Sequence, residues 1–415
     1  MFHLRSYGTA PGQVQGWMIH GQVYFESIQY GRTLNLTLRR KYKIILVAGA
    51  RPNFMKIAPL MHALENHATL EAVLVHTGQH YDEKMSHSFF DQLNIPEPHI
   101  NLEVGSGSHA TQTARIMEKF EAVCLSEKPD MVLVVGDVNS TAACSLVASK
   151  LHIKVCHYEA GLRSRDRDMP EEINRLVTDA ITDLYITTSN DASENLVTEG
   201  VDPIKVHMLG NLMIDSLVSH LKLAKSKDLK LFSSSGAPLD LAWKTESAPY
   251  LVMTFHRPSN VDDVSSLSVL VDQWVKTSEI MPIIFPIHPR TLGMLEKFHL
   301  MERLSSSPAI FLTGPLAYLD FLKLVSESAL VITDSGGIQE ETTYLKIPCL
   351  TVRPSTERPI TIWEGSNELI KADEIFIKAK QVTSSLETKY NIPKYWEGQA
   401  ASRIVKVLET YARDH

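Results

Sequence analysis

Residues 43–56 read KIILVAGARPNFMK. Five apolar residues, Ile44 to Ala48, run without a polar break and stop at Gly49, too short a run for a helix interior. Pro52 and Lys56 then fall in the first turn of the helix that follows. This strand–loop–helix unit recurs along the chain. Short β-branched runs at 72–76, 131–135, 155–158, 185–187 and 206–209 are each bounded by glycine, aspartate or proline and separated by amphipathic stretches. In the predicted helix 171–184, Ile173, Leu176, Val177, Ala180, Ile181 and Leu184 share one face at helical spacing. Strands that are apolar throughout and alternate with helices specify a parallel sheet covered on both faces.

The alternation pauses in the lysine- and serine-rich stretch 221–247, which contains Ser233-Ser234-Ser235-Gly236. It restarts at 250–255, 283–287, 309–312, 330–333 and 349–352. The fold class is therefore α/β, with two Rossmann-like, doubly wound halves that meet near residues 210–219 and face a central cleft. Ligands of open α/β sheets bind at the carboxyl ends of the strands, and two facing halves direct both sets of ends at that cleft. Residues 1–42 show no clear periodicity and no apolar secretory core, and form an extension of unknown role.

Composition narrows the function. The chain has 415 residues, 44% hydrophobic and 21% charged, with a net charge of −7, which excludes a disordered chain and argues against a general nucleic-acid binder. Four separated cysteines with no CxxC pair suit a reducing compartment, and no run approaches the ~18 apolar residues of a membrane span. No metal-binding signature is present, and the first strand–helix turn is not GxGxxG. The chemistry is expected to need neither metal nor cofactor.

Chemistry-bearing residues collect at the predicted strand ends. Arg51 and Lys56 fit either an anion at their helix start, or a solvated lysine and an arginine paired with a nearby acid. Asp334-Ser335-Gly336-Gly337 opens a helix as a phosphate cradle would, although Asp or Ser is also an ordinary cap. Glu341 lies on a stripe with Ile338, Thr342 and Leu345, where it either accepts from a polyol or forms a buried pair. Asp137 and Glu159 follow strands, and Glu171 opens a helix after Pro170. Singly, Asp137 reads as a cap for a helix beginning near Ser140, and Glu171 as a partner of Arg175 at i,i+4. Together, three acids beside a phosphate cradle suggest acid–base work on a carbon acid or alcohol. His256-Arg257, His288-Pro289-Arg290, Arg353 and Arg358 add cations around the predicted cleft, a pattern that suits a diphosphate.

In order, Gly49-Ala50-Arg51-Pro52 with Lys56, Gly136-Asp137, residues 157–163 (HYEAGLR), 170–175 (PEEINR), His256-Arg257, 334–341 (DSGGIQEE) and 356–359 (TERP) resemble the non-hydrolysing UDP-N-acetylglucosamine 2-epimerases. The resemblance runs from about residue 43 to the C-terminal helix. It implies a GT-B-like fold, with residues 43–214 as the N-terminal domain, 215–395 as the UDP-binding domain, and 396–415 as a helix packing back on the first. It implies inversion at C2 of the sugar by elimination and re-addition of UDP, without NAD. The C2 proton beside an acetamide is weakly acidic, so one carboxylate must remove it and another group must return it. By motif, Asp137, Glu159 and Glu171 would be the acid–base carboxylates, and His256 would assist the departure and return of UDP. Arg51 and Lys56 would lie near nucleotide or sugar, and Phe321 near uracil. Ser335, Gly336, Gly337 and Arg358 would hold phosphate, and Glu341 the ribose. A cytoplasmic homodimer serving surface-polysaccharide synthesis would follow, with no nucleic-acid partner and no membrane insertion. A related UDP-2,3-diacetamido uronic acid as substrate, or a non-catalytic UDP-sugar sensor, stand as alternatives. The chain departs from many members at His256-Arg257-Pro258-Ser259-Asn260, where they read HRRE or HRxEN. It departs again at Gly78-Gln79-His80-Tyr81-Asp82, where they read AQHR and some bacterial members bind an activating UDP-sugar.

Overall fold

The computed structural model describes residues 14–19, 22–27, 33–36, 40–78, 95–234, 236–239, 249–384 and 390–415, the first three segments as backbone alone. Gln79, His80, Tyr81 and Asp82, and the side chain of Arg51, lie outside the described residues.

Strands β1 (Val14–Ile19), β2 (Gln22–Ser27) and β3 (Thr33–Leu36) pair antiparallel in a sheet of their own, and among the described residues of the extension none pairs with the other two sheets. The run around Leu46 is β4 (Tyr42–Ala48), an interior strand of a seven-stranded parallel sheet. Its other members are β5 (Leu70–His76), β6 (Ile100–Asn101), β7 (Met131–Val135), β8 (Lys154–Tyr158), β9 (Leu184–Thr187) and β10 (Val206–Met208), in the order β10-β9-β8-β7-β4-β5-β6. The second sheet is parallel and six-stranded: β11 (Leu251–Thr254), β12 (Ile283–Pro286), β13 (Ile310–Thr313), β14 (Leu330–Thr333), β15 (Cys349–Val352) and β16 (Asn367–Ile370), in the order β13-β12-β11-β14-β15-β16. In each sheet the order reverses direction beside the first strand of that half, between β4 and β7 and between β11 and β14. That reversal opens a crevice at the carboxyl ends. β6 and β16 were not foreseen; the first is two residues long and the second, NELI, opens on two polar residues.

The helix Leu212–Ser226 joins the halves. Leu212 and Met213 enter the core beneath β4, whereas Leu217 and Ala224 pack with Leu319 and Leu322 of the second half. The helix Ala400–Asp414 lays Ile404, Val405 and Leu408 into the core of the first half. Buried Asp215 accepts from the amides of Ala400 (3.0 Å) and Ala401 (2.8 Å), supplying a carboxylate to a helix start.

One expectation needs correction. The predicted helix 171–184 is Pro170–Ala180, and Leu184 instead opens β9. Its apolar stripe is not the buried one: Ile173 is 38% and Val177 42% exposed, while Glu172, Arg175, Thr178 and Asp179 face inward. The interior behind this helix is a charged network, so the polar stripe is the one with partners there.

Candidate active site

The two sheets aim their carboxyl ends at one cavity of about 440 Å³. From the first half its wall includes Ala50, Asn53, Lys56, Asp137, Met169, Glu171 and Arg175. From the second it takes Arg257, Tyr318, Phe321, Ser335, Gly336, Gly337, Glu340, Glu341, Glu357 and Arg358.

The loop after β4 is shaped by Asn53. Its Oδ1 accepts from the amides of Gly49 (3.1 Å) and Ala50 (2.9 Å), and its Nδ2 donates to the Val135 carbonyl at 3.1 Å, tying this loop to the end of β7. One turn on, Lys56 is buried with Nζ 2.6 Å from Glu159 Oε2. The lysine is therefore neither solvated nor free. Glu159 itself has φ of 72°, a left-handed conformation uncommon outside glycine. Bonds from the Glu159 and Ala160 amides to the Ile186 carbonyl, 3.0 and 3.2 Å, hold that turn. Gly136, φ 70°, gives the Glu159 carboxylate its room: a Cβ there would stand 3.1 Å from Glu159 Oε2.

Asp137 does not cap the next helix, whose N-cap is Val138; its Oδ2 lies 2.5 Å from Arg175 NH2. Arg175 also reaches Glu172 at 2.6 Å, and this is the pairing seen in place of the i,i+4 contact with Glu171. Glu172 is therefore structural. Burial raises its carboxyl, but the amides of Ser164 and Arg165 together with Arg175 outweigh that and hold it below the usual range. Glu171 keeps its place in the cavity wall.

In the second half Asp334, wholly buried at the end of β14, builds the turn after β11. It accepts from the amides of His256 (3.0 Å) and Arg257 (2.8 Å) and from Asn260 Nδ2 (3.2 Å), with His256 Nδ1 3.0 Å from its Oδ1. His256 is 43% exposed and stands outside the cavity wall, which Arg257 enters beside it. Burial and the nearby Arg353 lower the pKa of Arg257, outweighing Glu357, Asp334 and Glu171. Arg290 is not part of the cleft, since its guanidinium pairs with exposed Asp262 at 2.8 Å. Ser335, Gly336 and Gly337 present the start of the helix Gly336–Leu345, where backbone amides lack intrahelical partners.

A chain of charges crosses between the halves. Arg358 pairs with Glu357, reaches Glu340 at 2.9 Å through Nε, and lies 4.0 Å from Glu159 Oε1. Asn211 Nδ2 also donates to Glu340 Oε1 at 2.9 Å. Glu159 Oε1 and Glu340 Oε2 are buried with no hydrogen-bond partner among the described residues. Two unsatisfied carboxylate oxygens at one cleft are costly unless a ligand or solvent meets them. Glu341, next along the helix, is raised to about 7 by burial, the neighbouring Glu340 adding to this and the Tyr318 hydroxyl offsetting part.

The family profile for UDP-N-acetylglucosamine 2-epimerase matches residues 62–409. The chain belongs to the UDP-N-acetylglucosamine 2-epimerase family. The UDP-N-acetylglucosamine 2-epimerase of Methanocaldococcus jannaschii is 40% identical over 375 residues, spanning 89% of this chain and 100% of that protein. The UDP-2,3-diacetamido-2,3-dideoxy-D-glucuronate 2-epimerase of Pseudomonas aeruginosa is 38% identical over 370 residues, 88% of this chain and 99% of that one. Among solved structures, the M. jannaschii enzyme in complex with UDP-GlcNAc and UDP superposes with a TM-score of 0.78 at 39% identity, covering 89% of this chain and 99% of its own. The Neisseria meningitidis enzyme bound to UDP-GlcNAc gives 0.77 at 28% identity over 89% of this chain and 100% of that one. The two parallel sheets across a cleft are the GT-B-like arrangement of these epimerases.

Of the family's expected positions, Lys56, Asp137, Glu171, Phe321, Ser335, Gly336, Gly337, Glu341 and Arg358 line the cavity. Glu159 stands just behind Lys56, and His256 beside Arg257. Sequence reasoning passed over Asn53, Arg175, Tyr318 and Glu340. All four lay inside stretches already singled out, but none was given a role in the site. No group of three or more His, Cys, Asp or Glu among the described residues is arranged to hold a metal ion, and no described helix is long and apolar enough to cross a membrane.

Proposed function

We propose that this chain inverts C2 of UDP-N-acetylglucosamine to give UDP-N-acetylmannosamine without hydrolysing the nucleotide sugar. The observation that carries the reading is the composition of one cavity. Asp137 and Glu171 from one half face Arg358, Arg257 and the Ser335-Gly336-Gly337 turn from the other. Acid–base groups thus oppose a diphosphate cradle across the width of a nucleotide sugar.

In this route a carboxylate of the first half takes the C2 proton. The C2–H electrons form the C1=C2 double bond while the C1–O bond breaks and its electrons leave with UDP. UDP then re-adds through the same oxygen at C1, and a second acid delivers a proton to the other face of C2. Asp137, Glu159 and Glu171 supply these proton transfers. The buried Lys56 and Arg175 keep the acids oriented, and a group held in place gains more than one that must be found. His256 assists the departing UDP from its turn beside Arg257. The glycine turn and Arg358 take the phosphates, with Arg51 and Lys56 on the sugar side, Glu341 on the ribose and Phe321 on the uracil. Oxyanions are stabilised best by donors already in position before the bond breaks. A proton leaves and returns to the same carbon, so the route needs no redox carrier. The enzyme works in the cytoplasm as a homodimer feeding surface-polysaccharide synthesis, and the exposed Ile173 and Val177 offer an apolar face for the second copy.

The test compares wild type with Glu171→Gln, each supplied with UDP-N-acetylglucosamine and, separately, with UDP-2,3-diacetamido-2,3-dideoxy-D-glucuronate. Wild type should convert the first, and the variant should lose at least about 10²-fold in kcat with UDP affinity kept. Conversion of the second sugar alone would transfer the assignment to the substrate of the Pseudomonas relative. Binding of UDP without turnover of either would make the chain a sensor.

A further inference from the structure

His157 lies two residues before Glu159 on β8 and is wholly buried. Its Nε2 is 2.9 Å from the Gly136 carbonyl oxygen and its Nδ1 2.6 Å from Asp179 Oδ1. The donor pattern follows from the partners. A carbonyl oxygen only accepts, so Nε2 carries a proton. Asp179 also accepts from the Gly161 amide at 3.0 Å and pairs with Arg163 at 2.8 Å. Burial raises its carboxyl, but His157 and Arg163 outweigh burial and hold it below the usual range. The ring is thus held from both ends, by the Gly136 carbonyl and by Asp179.

What it holds is the turn that carries Asp137. Gly136 is left-handed, its amide donates to the Tyr158 carbonyl at 3.0 Å, and its own carbonyl accepts from His157. That carbonyl and the Asp137 amide belong to one planar peptide, so fixing the oxygen fixes the direction in which Asp137 leaves the turn. The opposite side of the same turn abuts Glu159 and Lys56. We propose that His157 is a positioning residue: a buried imidazole that pins the Gly136–Asp137 peptide from behind, so that Asp137 and Glu159 are presented to the substrate together. This rests on the assignment of Asp137 to the acid–base chemistry. His157 is not among the residues that line the cavity and acts through the turn.

Two isosteric variants separate positioning from bulk stability. In His157→Gln the amide nitrogen stands where Nε2 stood and keeps a donor for Gly136. In His157→Asn it stands where Nδ1 stood and keeps only Asp179. With the full-length protein and UDP-N-acetylglucosamine, His157→Asn should lose about 10²-fold in kcat, the scale set by a displacement near 1 Å, with little change in KM or in UDP affinity. His157→Gln should retain most of the wild-type kcat, even if it unfolds at a lower temperature. Equal losses in both variants, activities that simply follow thermal stability, or full activity in His157→Asn would overturn the proposal. Long-range proton–nitrogen NMR of the wild-type imidazole gives an answer that does not depend on catalysis or on either variant folding. Nε2 should carry the proton that bonds the Gly136 carbonyl; a bare Nε2 would overturn the clamp. An inactive wild type with that proton on Nε2 would sink the proposed function and leave the clamp standing.

Discussion

Replacing Glu341 by Gln should make the protein more stable, and increasingly so as the pH rises. The carboxyl is raised by burial from its ordinary 4.5 to about 7, against a partial offset from Tyr318. Below about pH 4.5 folded and unfolded chains both hold this proton. Between about pH 4.5 and 7 the unfolded chain releases it while the folded chain keeps it, so stability falls with rising pH. Above about pH 7 both states are ionised and the loss levels off. The gap between 4.5 and about 7, at about 1.4 kcal/mol per pH unit, makes the full loss about 3 kcal/mol. Glutamine keeps the shape without the titration. Urea unfolding of both proteins at about pH 5 and about pH 8 should show the variant's advantage growing by about 2–3 kcal/mol between them. The same variant should bind UDP about tenfold more weakly, the range for losing a hydrogen bond to a charged group. An advantage that stays constant across that pH range, within about 1 kcal/mol, would refute the reasoning.

Gly136→Ala places a Cβ in a left-handed turn 3.1 Å from Glu159 Oε2, and should abolish epimerisation while UDP binding, measured by calorimetry, is unchanged. Full turnover would show that the Glu159 carboxylate tolerates displacement. Lys56→Met strands the buried Glu159 charge and should cost about 3–5 kcal/mol in urea unfolding, with Lys56→Met/Glu159→Gln recovering much of it. Equal destabilisation by the single and double variants would mean that the pair is not coupled. Val177→Glu, on the exposed face of the Pro170–Ala180 helix, should shift sedimentation velocity from dimer to monomer, and an unchanged dimer would remove this face from the interface.

The sheets were legible because a strand buried on both faces needs an unbroken apolar run, as in Ile44 to Ala48 and Met131 to Val135. The Pro170–Ala180 helix misled for a related reason. Amphipathicity identifies two faces but not which one meets protein, and here the interior partners of Arg175 and Asp179 are themselves charged. The cavity residues were found through glycine turns and acids at strand ends, which are local signals. The links between them were not, since Lys56–Glu159 and Arg358–Glu340 join distant segments and only the folded chain brings them together. Asp334 shows the same limit. Read locally it is a helix cap; in the structure its carboxylate organises the turn after β11, 77 residues earlier at Arg257.

The central claim is that C2 loses and regains a proton while the nucleotide sugar ends intact. Proton NMR of UDP-N-acetylglucosamine with the purified protein in deuterium oxide, without added cofactor, tests it most directly. The account predicts a UDP-N-acetylmannosamine signal carrying deuterium at C2, with UDP still attached at C1. Epimer that retains the original hydrogen, or free N-acetylmannosamine accumulating with UDP, would contradict it.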